Sequence, residues 1–363
     1  MHEAVQSVLS NIAIIFIMHL LINLIIVNRK EYLNKILFSI ALILTTSIAV
    51  IILFYLPIVY GDFQFDMRFI PLVFLAYKWG WKHAIPALVI VSLWRLGMGG
   101  QGAVPGVIFG MMFPTFISLF MKWLKQTELK SLTLLIIITL SWLASDIPII
   151  FFVPNGLQVF AEMSMYRLLT FLITAFALHF FIVNAEKELY LRERLTFYAE
   201  HDPLTGLNNI RHFEEKVKAY KTKQNKNQYI IMLDIDHFKS VNDEYGHLSG
   251  DMILKGFADI MLKKVSSYHK DDVFSGRYGG EEFIIFFATD SKEELIHFAD
   301  SFRQEIEDTE FRTESKAIKK ITVSLGISMF SESKSLYDTI SEADEALYKS
   351  KRNGRNQVQY FAD

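Results

Sequence analysis

No cysteine occurs among the 363 residues of the chain, which excludes disulfide bridges, thiolate-ligated zinc and thiol nucleophiles, and fits a reducing interior. Proline is scarce as well, with eight in all, so long helices can run without meeting their strongest breaker. Charge is thin in the first half. Residues 1–184 hold 11 Lys+Arg and 7 Asp+Glu, and of the totals of 37 and 39 this leaves 26 basic and 32 acidic residues for the remainder. The two parts therefore carry balances of +4 and −6. No basic field is present that would attract a nucleic-acid backbone. What the chain has in excess is apolar bulk: 52% hydrophobic residues, 31 Phe and a mean hydropathy of +0.26. That is more than an ordinary soluble domain carries, and it is segregated into a lipid-soluble half ahead of an acidic globular half.

Residues 5–27 and 36–60 are each long enough to cross a hydrocarbon core of about 30 Å as helices. The first run is too long for the core of a signal peptide and lacks both a basic leading segment and a small-residue cleavage site, so it is expected to be retained. The basic loop 28–35 belongs on the cytoplasmic side, and the acidic loop around Asp62 and Asp66 outside. Residues 69–96 read as two short spans split at the cationic stretch 78–83. Further spans fall near 104–124, 132–153 and 163–183, with Lys122, Lys125 and Lys130 inside. The expected count is about seven crossings, N-terminus out and C-terminus in. Arg95, Asp146, Arg167 and His19 sit at membrane depth, where an ionisable group needs a cavity, an interface or an opposite charge.

Residues 185–200 form a charged connector free of proline and glycine. Leu191, Leu195 and Tyr198 fall at i, i+4 and i+7, one narrow apolar stripe. Such a stripe suits a short parallel coiled coil between two chains, or docking onto the chain's own domain. His201-Asp202-Pro203 then ends the helix.

From residue 201 helices and strands alternate within a domain of ordinary size. Gly279-Gly280 between two β-prone runs reads as a hairpin turn where a bulky anion can approach the backbone. Glu281 and Glu282 follow and point to opposite faces of the strand. Residues 229–233 form a buried strand with Asp234 and Asp236 on one face at its end. Paired carboxylates there, with more acid at the hairpin tip, suit Mg²⁺ on a nucleotide phosphate. His237-Phe238-Lys239 adds backbone amides and a cation where triphosphate oxygens could rest. Asn242 and Asp251 can read guanine, the carboxylate accepting from N1–H and the exocyclic amine. Lys351 and Arg355 flank the end of a helix and can reach phosphates.

Five blocks carry a resemblance to the GGDEF family of diguanylate cyclases: Asp202 to Leu207 with Asn209, Arg211 and Phe213; Asp234 to Asp251; Arg277 to Phe283; Thr322 to Gly326; and Ala343 to Asn356. Asp66-Met67-Arg68, the stretch from Trp94 to Gly102, and Pro105 make the first half similar to the multi-span sensor region of LytS-type histidine kinases. Together the resemblances imply a multidomain fold. An all-α polytopic transmembrane bundle (1–184) and a helical connector (185–200) would precede an α/β palm-like nucleotidyl cyclase domain (201–363).

The implied activity is a membrane-bound diguanylate cyclase condensing two GTP into cyclic di-GMP under control of the sensor, as a homodimer in the lipid bilayer. The alternative is a catalytically silent regulator working through GTP binding or protein contacts. By the same resemblance Asp234, the Ile235 carbonyl and Glu281 would hold Mg²⁺ or Mn²⁺, and Glu281 would assist deprotonation of the attacking 3′-hydroxyl. Lys239 would stabilise the transferred phosphoryl group. Phe238, Asn242, His247 and Asp251 would contact the nucleotide, and Lys351 and Arg355 its phosphates. Where the family carries an Arg-x-x-Asp product-inhibition site, this chain has Lys270 and Val273, so that feedback is expected to be missing.

Overall fold

The computed structural model describes residues 2–27, 34–60, 63–100, 102–125, 128–221, 226–269, 271–331 and 334–362. The readings placed on residues 28–33, Asp62, Gln101 and Lys270 lie outside the described residues. The chain divides into two compact units, Met1–Leu191 and Arg192–Asp363.

The first unit is helical apart from one small hairpin. Its elements are α1 (His2–Val27), α2 (Lys35–Phe54), the hairpin strands β1 (Ile58–Tyr60) and β2 (Phe63–Phe65), α3 (Phe69–Trp79) and α4 (Trp81–Met98). These are followed by α5 (Ala103–Val107), a π-helical turn (Ile108–Met112), α6 (Phe113–Lys125), α7 (Ser131–Asp146), α8 (Ile149–Phe152) and α9 (Gly156–Glu200). Among the described residues five helical stretches are long and apolar enough to cross a membrane: Val5–Val27, Lys35–Phe54, Ala103–Lys125, Ser131–Phe152 and Gly156–Glu200. The protein is a multi-pass membrane protein. The run 69–96 does split, at Gly80, whose φ of 79° closes α3. Yet α3 has only 11 residues, about 16 Å of helix against about 30 Å of hydrocarbon. By length and hydropathy the count is therefore five where the sequence led us to expect seven, because one glycine and a cluster of cations divide that run.

Each charge flagged at membrane depth has found a partner. Asp146 and Arg167 form an ion pair at 3.1 Å, with side chains 1% and 14% exposed. Arg95 donates from Nη1 to the Gly99 carbonyl at 2.8 Å. His19 is a buried core residue, its Nε2 bonded to the Asn23 amide. Near them, Asp66 pairs with Arg68.

In the second unit β3 (Asn208–Asn209) and α10 (Ile210–Lys221) lead into β4 (Asn227–Ile235), α11 (Phe238–Tyr245) and α12 (His247–Val265). Then come β5 (Val273–Gly279), β6 (Glu282–Thr289), α13 (Lys292–Asp308), the short pair β7 (Phe311–Arg312) and β8 (Ile318–Lys319), β9 (Val323–Phe330), α14 (Leu336–Arg352) and β10 (Val358–Tyr360). The main sheet has the order β10-β9-β4-β6-β5-β3. β4 sits inside it, antiparallel to both neighbours, while β10 joins β9 and β3 joins β5 in parallel. A mixed sheet needs cover on both faces, which explains why β4 is apolar at every position from Ile230 to Leu233. Ile231 and Leu233 pack with Phe257, Phe283 and Phe302 on one side. Ile230 and Met232 pack with Phe213, Phe286 and Leu347 on the other. α14 packs closely on β9 at Gly326, where a Cβ would stand 2.2 Å from the Ala343 carbonyl oxygen and the Leu347 nitrogen.

Candidate active site

The site forms where β4 ends. Asp234 is paired across the ladder with Glu282 of β6 and with Ser324 of β9. Directly opposed residues in an antiparallel pair share a face, with Cβ atoms about 5 Å apart. It is therefore Glu282 that stands opposite Asp234. Glu281 lies in the turn beside it, where its carbonyl accepts the Ile235 N–H at 3.4 Å. Period-2 alternation separated the two glutamates but could not say which would oppose the strand end. Glu282 is thus a residue of the site that sequence reasoning left facing away.

Asp234 is 8% exposed and receives the Lys351 ammonium on Oδ2 at 2.8 Å. Burial drives its pKa above the ordinary carboxylate value; Lys351 opposes this, and the charges of Glu281 and Asp236 add to it. Glu282 is raised for the same reason, burial first and the Asp234 charge next. A buried carboxylate group of this kind calls for a cation. Here α14 supplies one: Lys351, expected from the sequence to meet a phosphate, sits instead on the carboxylate expected to meet a metal.

Asp236 does not belong to that group. It is 5% exposed and accepts from Thr322 Oγ1 at 2.7 Å, Ser324 Oγ at 2.7 Å and the Asn356 N–H at 3.1 Å. With its oxygens taken, it fastens the end of β4 to β9 and to the segment after α14. The expected pairing of Asp234 and Asp236 as one hard-oxygen site is corrected: the strand stops at Ile235, so two-residue alternation no longer governs position 236. Thr322 and Ser324, two hydroxyls at i and i+2 on a neighbouring strand, were the signal that could have foretold it.

His237 takes a left-handed φ of 56° and turns the chain into α11. The Phe238 side chain points into the core, 6% exposed, so only its main chain is free to meet a ligand. Lys239 is exposed on the first turn of α11. Further along, Asn242 rests against Gly250: a Cβ there would fall 2.0 Å from Asn242 Oδ1. Glycine at 250 is what admits the amide. His247 and Asp251 are exposed on the first turns of α12, one turn apart and hence on one face. Arg355 is exposed, with a left-handed φ of 64°.

Two residues that the sequence did not point to as part of the site, Arg277 and Asp202, hold the hairpin in place. Arg277 donates from Nε and Nη2 to the Gly280 carbonyl at 3.0 and 2.6 Å. Its Nη1 reaches the Asp202 carboxylate at 3.0 Å. Burial would raise the Asp202 pKa, but the Thr205 hydroxyl and amide and Arg277 together hold it below the ordinary value. The Asp-Pro that ends the connector is therefore tied to the glycine turn.

Among the described residues no three His, Asp or Glu side chains gather into a ready-made metal cage. The donors at the strand end are nonetheless all hard oxygens. They fit Mg²⁺, which keeps several waters and substrate phosphates and needs only one or two protein carboxylates.

Residues 199–357 match the family described as diguanylate cyclase, GGDEF domain. The chain carries a GGDEF domain. Ahead of it, residues 18–185 match the family described as 5TMR of 5TMR-LYT. An uncharacterized membrane protein of Staphylococcus haemolyticus is 27% identical over 98% of both chains. Another, from Staphylococcus aureus, is 28% identical over 88% of both. Among solved structures, the GGDEF domain of DgcB from Caulobacter crescentus in complex with c-di-GMP is 30% identical, with a TM-score of 0.42 over 45% of this chain and 95% of that one. The active GGEEF domain of a diguanylate cyclase from Vibrio cholerae is 31% identical, with a TM-score of 0.37 over 43% of this chain and 98% of that one.

Proposed function

We propose that the protein is a membrane-bound diguanylate cyclase whose GGDEF domain lies in the cytoplasm and answers to the membrane unit. The observation that carries this reading is the buried carboxylate at the end of β4, facing Glu282 and flanked by Glu281, with a single lysine as counter-charge. Asp234, Glu281 and the Ile235 carbonyl would hold Mg²⁺ or Mn²⁺, with Glu282 close by. A divalent ion there would neutralise charge developing on the transferred phosphoryl group.

The chain's own residues do the rest. Asn242 and Asp251 accept and donate to guanine, and His247 and the Phe238 main chain bound the nucleotide. Lys239 and Arg355 meet phosphate oxygens. Lys351, now on Asp234, would be free to meet a phosphate oxygen if Asp234 held a divalent ion. The 3′-hydroxyl of one GTP forms a bond to the α-phosphorus of the other, and the bond from that phosphorus to the bridging oxygen breaks to release pyrophosphate. The hydroxyl proton passes to Glu281. Repeating the step closes the ring and gives cyclic di-GMP and two pyrophosphates. Each domain holds one GTP, so two chains must meet. Leu191, Leu195 and Tyr198, 48%, 69% and 46% exposed, offer the connector stripe for that dimer.

A second reading has one observation in its favour: the Lys351–Asp234 pair already satisfies the metal carboxylate. If that pair does not open, the domain binds GTP without turning it over and acts as a regulator. Incubating the full chain in lipid nanodiscs with GTP and Mg²⁺ and separating the nucleotides distinguishes the two. Cyclic di-GMP that disappears in Glu281→Gln supports the cyclase. GTP that binds and stays intact supports the regulator.

A further inference from the structure

A cavity of about 480 Å³ opens within the membrane unit, a volume typical of small-molecule sites. It lies between the start of α3, the ends of α4 and α7, the turns around Pro105 and the first turns of α9. Lys78 lies at the end of α3, Lys122 and Lys125 at the end of α6, and Lys130 just before α7, in each case at the end of the helix away from the cavity. Under the positive-inside rule the cavity therefore faces away from the cytoplasm.

Its chemistry is mixed in a particular way. Arg68, Arg95 and Arg167 line it together with Asp66 and Asp146, three cations against two anions. Asp66 is committed to Arg68. Arg95 has only the Gly99 carbonyl and no carboxylate partner among the described residues. Asp146 spends one oxygen, Oδ1, on Arg167 and Ser145. Among the described residues, its Oδ2 and the Arg167 Nε are buried without a hydrogen-bond partner. A buried unmatched acceptor on a charged group is costly, and at membrane depth it marks a functional site. Around these groups the walls are aromatic, with Phe65 and Phe171 under the Arg167 guanidinium and Phe69, Phe109, Phe152 and Phe160 completing them.

We infer that this cavity is a receptor site for a small extracytoplasmic zwitterion with an apolar body, the chemistry of a free apolar α-amino acid. The ligand ammonium pairs with the Asp146 carboxylate, its carboxylate accepts from the Arg95 and Arg167 guanidinium groups, and its side chain fills the phenylalanine-lined space. The site lies against the N-terminal turns of α9, the helix that continues to Glu200. The inference deepens the sensor half of the proposed function, and its test does not depend on GTP turnover.

The test uses the full chain in nanodiscs and two probes, L-phenylalanine and L-leucine, each beside its 2-hydroxy acid analogue, read by titration calorimetry and thermal unfolding. At least one amino acid is expected to bind saturably and raise the melting temperature, with its hydroxy analogue at least about tenfold weaker. Asp146→Asn should weaken binding by a similar factor. Gly110→Leu supplies a second variant that leaves both ion pairs intact, because Gly110 lines the cavity and a Cβ there meets nothing within 4 Å. It should also lose at least about tenfold in affinity, while its ligand-free melting temperature stays unchanged. The inference is overturned if neither amino acid binds, if a hydroxy acid binds as tightly as its amine, or if Gly110→Leu binds like the parent chain.

Discussion

Each half of this chain buries an aspartate, and the two are treated oppositely. In the GGDEF domain Asp236 is surrounded by three donors on two neighbouring segments. In the membrane unit Asp146 is just as buried, yet one of its oxygens has no partner. A carboxylate whose oxygens are all engaged is a fastener; one left open inside a cavity is a receptor group. The same contrast recurs two residues apart within the GGDEF domain. Asp234 has one ion pair and carries the proposed chemistry, while Asp236 has a full set of hydrogen bonds and none of the chemistry.

The largest test of that contrast is on the open side. Glu281→Gln in the full chain should lower cyclic di-GMP formation by at least about 100-fold with GTP still bound, since charge neutralisation at a transferring phosphoryl group is usually the dominant effect. Product assay beside GTP binding checks it, and comparable turnover would end the distinction drawn for the strand end. On the closed side, Asp236→Asn should cost roughly 3 kcal/mol, on the order of 10 °C in the melting temperature, because buried hydrogen bonds to a charged group are lost together. Thermal unfolding followed by near-UV circular dichroism reads it, and an unchanged midpoint would mean Asp236 is no fastener.

A smaller effect is expected at Gly250. Gly250→Ala pushes the Asn242 amide aside, and should raise KM for GTP about tenfold without unfolding the domain, as one hydrogen-bonding contact is worth about that factor. The pH dependence is the finest probe. Asp234 and Glu282 have raised pKa values in the folded domain, so folding favours their protonated forms. Their contribution to stability is therefore present at low pH and is lost as pH rises through the ordinary carboxylate value towards the raised ones. Mg²⁺ needs the ionised forms, so its affinity should move the other way, strengthening by up to about tenfold per pH unit over that same window. Mg²⁺ titrations at pH 5 and 7 beside metal-free melting curves would show the two trends diverging.

Much of this was legible in the sequence, for physical reasons that can be named. The apolar runs and the buried strand 229–233 obey local periods, which survive without knowledge of the partner; the hairpin was legible too, although its turn falls at Gly280-Glu281 and not at Gly279-Gly280, since Gly279 ends β5. What could not be read was register. Whether Glu281 or Glu282 faces Asp234 depends on how two strands slide past each other, and a shift of one residue exchanges their roles. The fate of Asp236 likewise depended on hydroxyls more than 80 residues away in the chain. In the membrane half the flagged charges were correctly singled out as needing partners, but only the packed helices show that Asp146 meets Arg167 and that, among the described residues, Arg95 does not meet an acid.

The length of α9 has a consequence of its own. It runs 45 residues, from the cavity to two positions before Asp202, with no glycine or proline after its first residue. A rod of this kind transmits torsion as well as push and pull, because each residue adds about 100° of turn and 1.5 Å of advance. Along such a helix the face a residue presents is fixed by its count: one inserted residue turns everything after it by about 100°, while seven, close to two full turns, nearly restore the original phase.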